Sequence, residues 1–126
     1  AMRLFRKLFG KKEKTPEVSG PDDQLVRLHI PLSDGQIGTD EERQRWDDLE
    51  NLLEKTVLEE GVGDLDGAEI GDGEYTMWLY GRDSAVLAER VKLVCRQQNL
   101  PSGCRMYVRH GGIEDDDAPE EIVNLT

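Results

Sequence analysis

Apolar and polar residues alternate from Leu25 to Leu32: Val26, Leu28, Ile30 and Leu32 fall on one side, Arg27 and His29 on the other, as in a half-buried strand. The period then lengthens. Trp46, Leu49, Leu53 and Val57 recur at spacings of three and four, which predicts an amphipathic helix with one stripe against a core. Thr39 and Glu42 form a capping box at its start, the hydroxyl and the carboxylate each satisfying a free amide, and Gly61 stops it after about Glu60. A weak strand from Asp64 to Ile70, a three-residue turn Gly71-Asp72-Gly73 and a stronger strand from Glu74 to Tyr80 read as a hairpin. Gly81 breaks the second strand and Asp83 caps a second helix, which Leu87, Ala88, Val91, Val94 and Cys95 carry to about Gln98. From Cys104 to His110 the alternation returns, with Cys104, Met106 and Val108 opposite Arg105, Tyr107 and Arg109, until Gly111-Gly112 ends it.

Strand, helix, strand, strand, helix, strand is the split βαβ order of an α+β, ferredoxin-like domain. Right-handed crossovers would place both helices on one face of a four-stranded antiparallel sheet, with the first and third strands central and the other face open. The domain is expected over residues 24–112. Residues 1–23 read as a basic amphipathic arm and a flexible linker containing Pro16, Ser19, Gly20 and Pro21. Residues 113–126 read as an acidic tail, whose end Ile122-Val123-Asn124-Leu125 would dock or add a short edge strand.

Composition sharpens the picture. A hydrophobic share of 37% in 126 residues excludes wholesale disorder and supports one core with tails. The 27 acids outnumber the 16 bases, a net charge of -11 that disfavours nucleic acid as the default partner. The sum hides an asymmetry, since residues 1–14 carry +5 and the remainder -16. On a helical wheel Leu4, Phe5, Leu8 and Phe9 oppose Arg3, Arg6, Lys7 and Lys11, so the arm would make a weak peripheral contact with anionic lipid at the inner membrane surface. A tail without order, or one folded back on the acidic domain, is the competing expectation. The arm is too short and too basic for a secretory signal, and two cysteines, Cys95 and Cys104, are too few for a disulfide framework, so a cytoplasmic protein is expected.

Gly67-Ala68-Glu69-Ile70, Tyr80-Gly81-Arg82-Asp83-Ser84-Ala85, the helix from Val86 to Cys95 and Arg109-His110-Gly111 resemble small bacterial ferredoxin-like domains of unknown function. The resemblance covers about residues 64–112 and departs at Ser84, where alanine is the expected residue. It implies the fold and no catalytic residue. More distantly, the architecture and acidity look like those of the protein regulators of ribonuclease activity, a likeness of fold and charge alone.

No catalytic residue, cofactor or metal is predicted. Asp64-x-Asp66-Gly67 has the opening of a calcium loop, but Ala68 and Tyr75 stand where ligands are required. Cys104 and His110 lie too far apart along one strand for a thiolate and its base. The sharpest candidate is the open sheet face. If Tyr75, Met77 and Leu79 turn to the helices, then Trp78 and Tyr80 join Arg27, His29, Arg105, Tyr107 and Arg109 on the other side. Both sides of that strand are apolar, so its orientation stays open. Aromatic residues and arginines are enriched in protein interfaces, and the expectation is a non-enzymatic protein-interaction or regulatory module whose face meets a protein partner or a second copy as a dimer. Two alternatives stand beside it: RNA or nucleotide binding on the same face, although Gly73 to Leu79 lacks the aromatic pattern of the RNA-binding octapeptide, or a small enzyme with an unrecognised site.

Overall fold

The computed structural model describes Met2–Leu4 and residues 23–126. In chain order the elements are β1 (Met2–Leu4), β2 (Gln24–Pro31), α1 (Asp40–Glu59), β3 (Asp64–Gly71), β4 (Glu74–Gly81), α2 (Ser84–Cys95), β5 (Arg105–Arg109) and β6 (Glu120–Asn124). The strands form one sheet in the order β1-β3-β4-β2-β5-β6, with every neighbouring pair antiparallel. Among the described residues the chain is thus α+β, with two helices and an antiparallel sheet in which β2 and β4 are central.

The alternation of β2 is realised as expected. Val26, Leu28 and Ile30 are fully buried, and Met77 and Leu79 of β4 join them. From α1 the stripe Trp46, Leu49, Leu53 and Val57 packs onto this surface, and from α2 Leu87, Val91, Val94 and Cys95 do the same, so both helices share one core with one face of the sheet. Each fully buried Leu contributes about 1.5–3 kcal/mol relative to leaving it in water. At the start of α1, Thr39 Oγ1 accepts from the Glu42 amide at 3.1 Å while Glu42 Oε1 accepts from the Thr39 amide at 3.0 Å, the reciprocal capping box its sequence announces.

Several expectations are corrected. Among the described residues the sheet has six strands rather than the four of the expected domain: the tail takes the edge-strand alternative, with Glu120–Asn124 paired along the whole of β5, and Met2–Leu4, not expected as a strand, pairs with β3. Arg3 and Leu4, expected on an amphipathic helix, are strand residues opposite Glu69 and Ala68. A free edge offers three residues a complete ladder, which a short isolated helix lacks. Phe5, Arg6, Lys7, Leu8, Phe9 and Lys11 lie outside the described residues. The hairpin turn has two residues, not three: Gly71 pairs with Glu74, and Asp72 (φ 53°) and Gly73 (φ 81°) both take positive φ, the type I′ geometry that matches the twist of the flanking strands. Finally, α2 ends at Cys95 instead of Gln98, because the Gln97 and Gln98 amides bond back only three residues, to Val94 and Cys95, and tighten the last turn.

Beyond the hairpin, β4 runs close to the loop that follows α1. A Cβ on Gly81 would lie 2.5 Å from the Val62 carbonyl oxygen, so only glycine fits there. Among the described residues no helix is long and apolar enough to cross a membrane.

Candidate functional site

The burial of Tyr75, Met77 and Leu79 resolves the orientation of β4 and turns Thr76, Trp78 and Tyr80 away from the helices. Ladder register then builds the opposite face row by row. One row crosses the sheet as Trp78, Arg27, Tyr107 and Ile122, each directly opposite the next on β4, β2, β5 and β6. The neighbouring row is Glu69, Thr76, His29, Arg105 and Asn124 on β3, β4, β2, β5 and β6. On the far side Tyr80 faces Leu25, and Arg109 faces Glu120. All seven residues proposed from the sequence therefore lie on this face.

Within it a polar network fixes side-chain positions. Arg27 Nε donates to His29 Nε2 at 2.8 Å, and His29 Nδ1 lies 3.1 Å from Glu74 Oε1. Since Nε2 accepts from a permanent donor, the proton sits on Nδ1 and is donated to Glu74, an assignment made from the hydrogen-bond network. The second oxygen of Glu74 pairs with Arg105 at 2.7 Å. Burial and the flanking Arg27 and Arg105 charges hold His29 below its ordinary value of 6.5, against the opposing pull of Glu74. Burial works to raise the Glu74 carboxyl, but the hydrogen bonds and charges of Arg105 and His29 outweigh it and keep the group below 4.5. The Arg27 guanidinium lies over the Tyr107 ring, 4.5 Å from its centroid. Burial and a hydrogen bond to Glu120 push the Tyr107 hydroxyl upward. Arg109 is committed to the turn before β6: it donates to the Asp115 carbonyl and to the Gly112 carbonyl at 3.4 Å, and lies 3.5 Å from Glu120.

A second constellation joins four elements. Ser84 Oγ is 2.7 Å from His110 Nδ1, and His110 Nε2 is 2.6 Å from Glu121 Oε2. Serine, histidine and carboxylate in that sequence match the parts list of a nucleophile, its base and an orienting group. The backbone donors around it are already engaged. Ser84 is fully buried, its amide donates to Gln24 Oε1, and the next two helix amides, of Ala85 and Val86, are taken by the Asp83 cap, so a developing oxyanion would find its donors spent. What the chain does is tie β2, α2, the end of β5 and β6 together.

The thiols belong to the core. Burial pushes Cys95 up to about 12 and Cys104 up to about 11, which leaves both protonated and unreactive at neutral pH. Among the described residues no group of three His, Cys, Asp or Glu side chains converges to hold a metal. A cleft of about 180 Å³ lined by Gly61, Val62, Arg82, Asp83 and Val86 includes none of the sheet-face residues.

Sequence reasoning missed Glu74, Glu121 and the buried Glu50, whose carboxylate accepts from the Tyr75 hydroxyl at 2.6 Å. Glu50 was visible on the helical wheel, because it falls four residues after Trp46 and three before Leu53, inside the apolar stripe. Glu74 follows from the turn type, since a two-residue loop sets Pro31 opposite Glu74 and brings that carboxylate diagonally to His29. No family model matches the chain, and neither a curated protein nor a solved structure does.

Proposed function

We propose that β2 to β5 form a ferredoxin-like domain that works as a non-enzymatic, cytoplasmic protein-interaction module, binding a protein partner through the sheet face turned away from the helices. The strand order β3-β4-β2-β5 with helices following β2 and β4 supports the fold, and the likeness to small bacterial domains is part of the same proposal. The observation that carries the function is the row Arg27, Tyr107 and Ile122, in which an ordered arginine stacks on an aromatic ring beside an isoleucine left 63% exposed. Arginine and aromatic anchors with an adjoining apolar side chain are the residues that dominate protein interfaces. Glu69, Glu74 and Glu120 interleave with the arginines, a pattern that repels a polyanion and favours a partner of mixed charge over RNA.

Placing a photo-crosslinking amino acid at Ile122 and, as a control, at Leu58, which is 44% exposed on α1, tests the reading in the source cell. Expected is a defined protein, identified by mass spectrometry, captured from Ile122 and not from Leu58. Equal capture from both positions, or capture of RNA from Ile122, overturns it; sedimentation shows whether the captured protein is a second copy.

A further inference from the structure

Arg27 differs from the other half-buried arginines among the described residues. Arg43 ends on the Gly38 carbonyl at 2.7 Å, Arg90 on Glu60 at 2.6 Å, Arg105 on Glu74 at 2.7 Å and Arg109 on Glu120 at 3.5 Å. Arg27 spends only Nε, on His29, and its cationic plane is set down on Tyr107. Among the described residues neither terminal nitrogen of Arg27 has a hydrogen-bond or ion-pair partner. The acids nearest to hand are already used, Glu74 by His29 and Arg105, and Glu120 by Arg109.

An arginine normally loses considerable rotamer entropy when it engages an anion. Here that ordering is done in advance: one hydrogen bond fixes the end of the stem, a ring fixes the plane, and the two terminal nitrogens are presented as a fork. Such a fork matches the two oxygens of a planar carboxylate. Resting on the protein-interaction reading above, we propose that Arg27 is the receptor for a single carboxylate side chain of the protein partner, with His29 as the residue that positions it. The size of the anion follows from the neighbours. Glu74, bound to His29 and Arg105, and Glu69, in the row of His29, repel an extended polyanion, whereas the single charge of one carboxylate is balanced by the Arg27 guanidinium. Ile122 lies two strands away in the same row, roughly 10 Å at the usual strand spacing, and supplies apolar contact for the residues flanking that carboxylate.

The test uses the full chain labelled with ¹⁵N, reading the Arg27 Nε–H resonance, which its bond to His29 protects from exchange. Sodium benzoate serves as a carboxylate with an apolar body, and inorganic phosphate as the competing anion. Expected is a saturable shift of the Arg27 resonance with benzoate in the millimolar range, with phosphate weaker. Arg27→Lys keeps the charge and loses the fork, so benzoate affinity, followed on neighbouring amides, falls about ten-fold. His29→Gln weakens binding without removing the Arg27 charge, a change that a merely structural role for His29 would not produce while the remaining amide spectrum is unaltered. A wild-type titration without saturation at Arg27, equal binding by Arg27→Lys, or tighter binding of phosphate overturns the proposal. The two readings fail separately: partner capture from Ile122 that survives Arg27→Gln sinks the carboxylate site alone, whereas benzoate binding at Arg27 with no captured protein sinks the interaction module and leaves an anion site.

Discussion

Replacing His110 by phenylalanine preserves the volume of the ring and removes both of its hydrogen bonds. The larger loss is at Ser84, whose hydroxyl is fully buried and has His110 as its partner. Leaving a buried hydroxyl unsatisfied costs about 1–3 kcal/mol. The Glu121 side of the bond is more than half exposed and adds roughly 0–1 kcal/mol. His110→Phe should therefore destabilise the protein by about 2 kcal/mol. Ser84→Ala alone removes the hydroxyl and its bond to His110 Nδ1, a loss of about 1 kcal/mol. The decisive comparison is the double variant. With both polar partners gone no orphan remains, so Ser84→Ala introduced into His110→Phe should recover about 1 kcal/mol instead of costing more. Urea unfolding followed by tryptophan fluorescence, to which Trp46, 2% exposed in the core, contributes with Trp78, measures all three variants. Hydrogen exchange at the β6 amides should quicken in His110→Phe, since Glu121 sits on that strand. A His110→Phe stability within 0.5 kcal/mol of the parent, or additive losses in the double variant, would refute the tie.

The remaining predictions concern protons, thiols and packing. His29 binds its proton less readily when folded than when unfolded, so its contribution to stability is present above its ordinary value of 6.5 and is lost as pH falls below it. The depressed Glu74 adds a second loss that begins only as pH drops below 4.5. Unfolding titrations should show the upper step in the parent and not in His29→Gln. Cys95 and Cys104, raised to about 12 and 11, should stay unmodified by a thiol reagent at pH 8 in native protein and react on unfolding; prompt native labelling would contradict their placement in the core. Gly81→Ala should cost about 1–3 kcal/mol, because its methyl group meets the Val62 carbonyl, and an unchanged denaturation midpoint would show that the loop after α1 yields.

Local physics made much of this legible. The alternation around Leu28 and the stripe from Trp46 to Val57 are short-range patterns that burial realised, and the Thr39–Glu42 box is contained within four residues. Misreadings arose where a partner from elsewhere in the chain decided the outcome. The apolar end of the tail offers an edge strand at Ile122 to Leu125 but neither its partner β5 nor its start at Glu120, and the helical wheel claims Arg3 and Leu4 because their strand partners, Glu69 and Ala68, are remote in sequence. The site was visible as residue types on alternating positions. Its wiring was not, because His29 meets Glu74, and His110 meets Ser84, only after the register is set.

The central position of β2 also dictates the order of assembly. Its ladder partners are drawn from late in the chain, Val26 opposite both Leu79 and Val108, while β3 and β4 are joined by a two-residue turn. A hairpin of that kind closes in about 1–10 μs, whereas inserting β2 between strands that follow it requires long loops to close first. The expected slow step is therefore the capture of β2 by the β3–β4 hairpin, with the turn at Asp72-Gly73 formed in the transition state. In stopped-flow kinetics Gly73→Ala should slow refolding, while substitutions in β6 should act mainly by speeding unfolding.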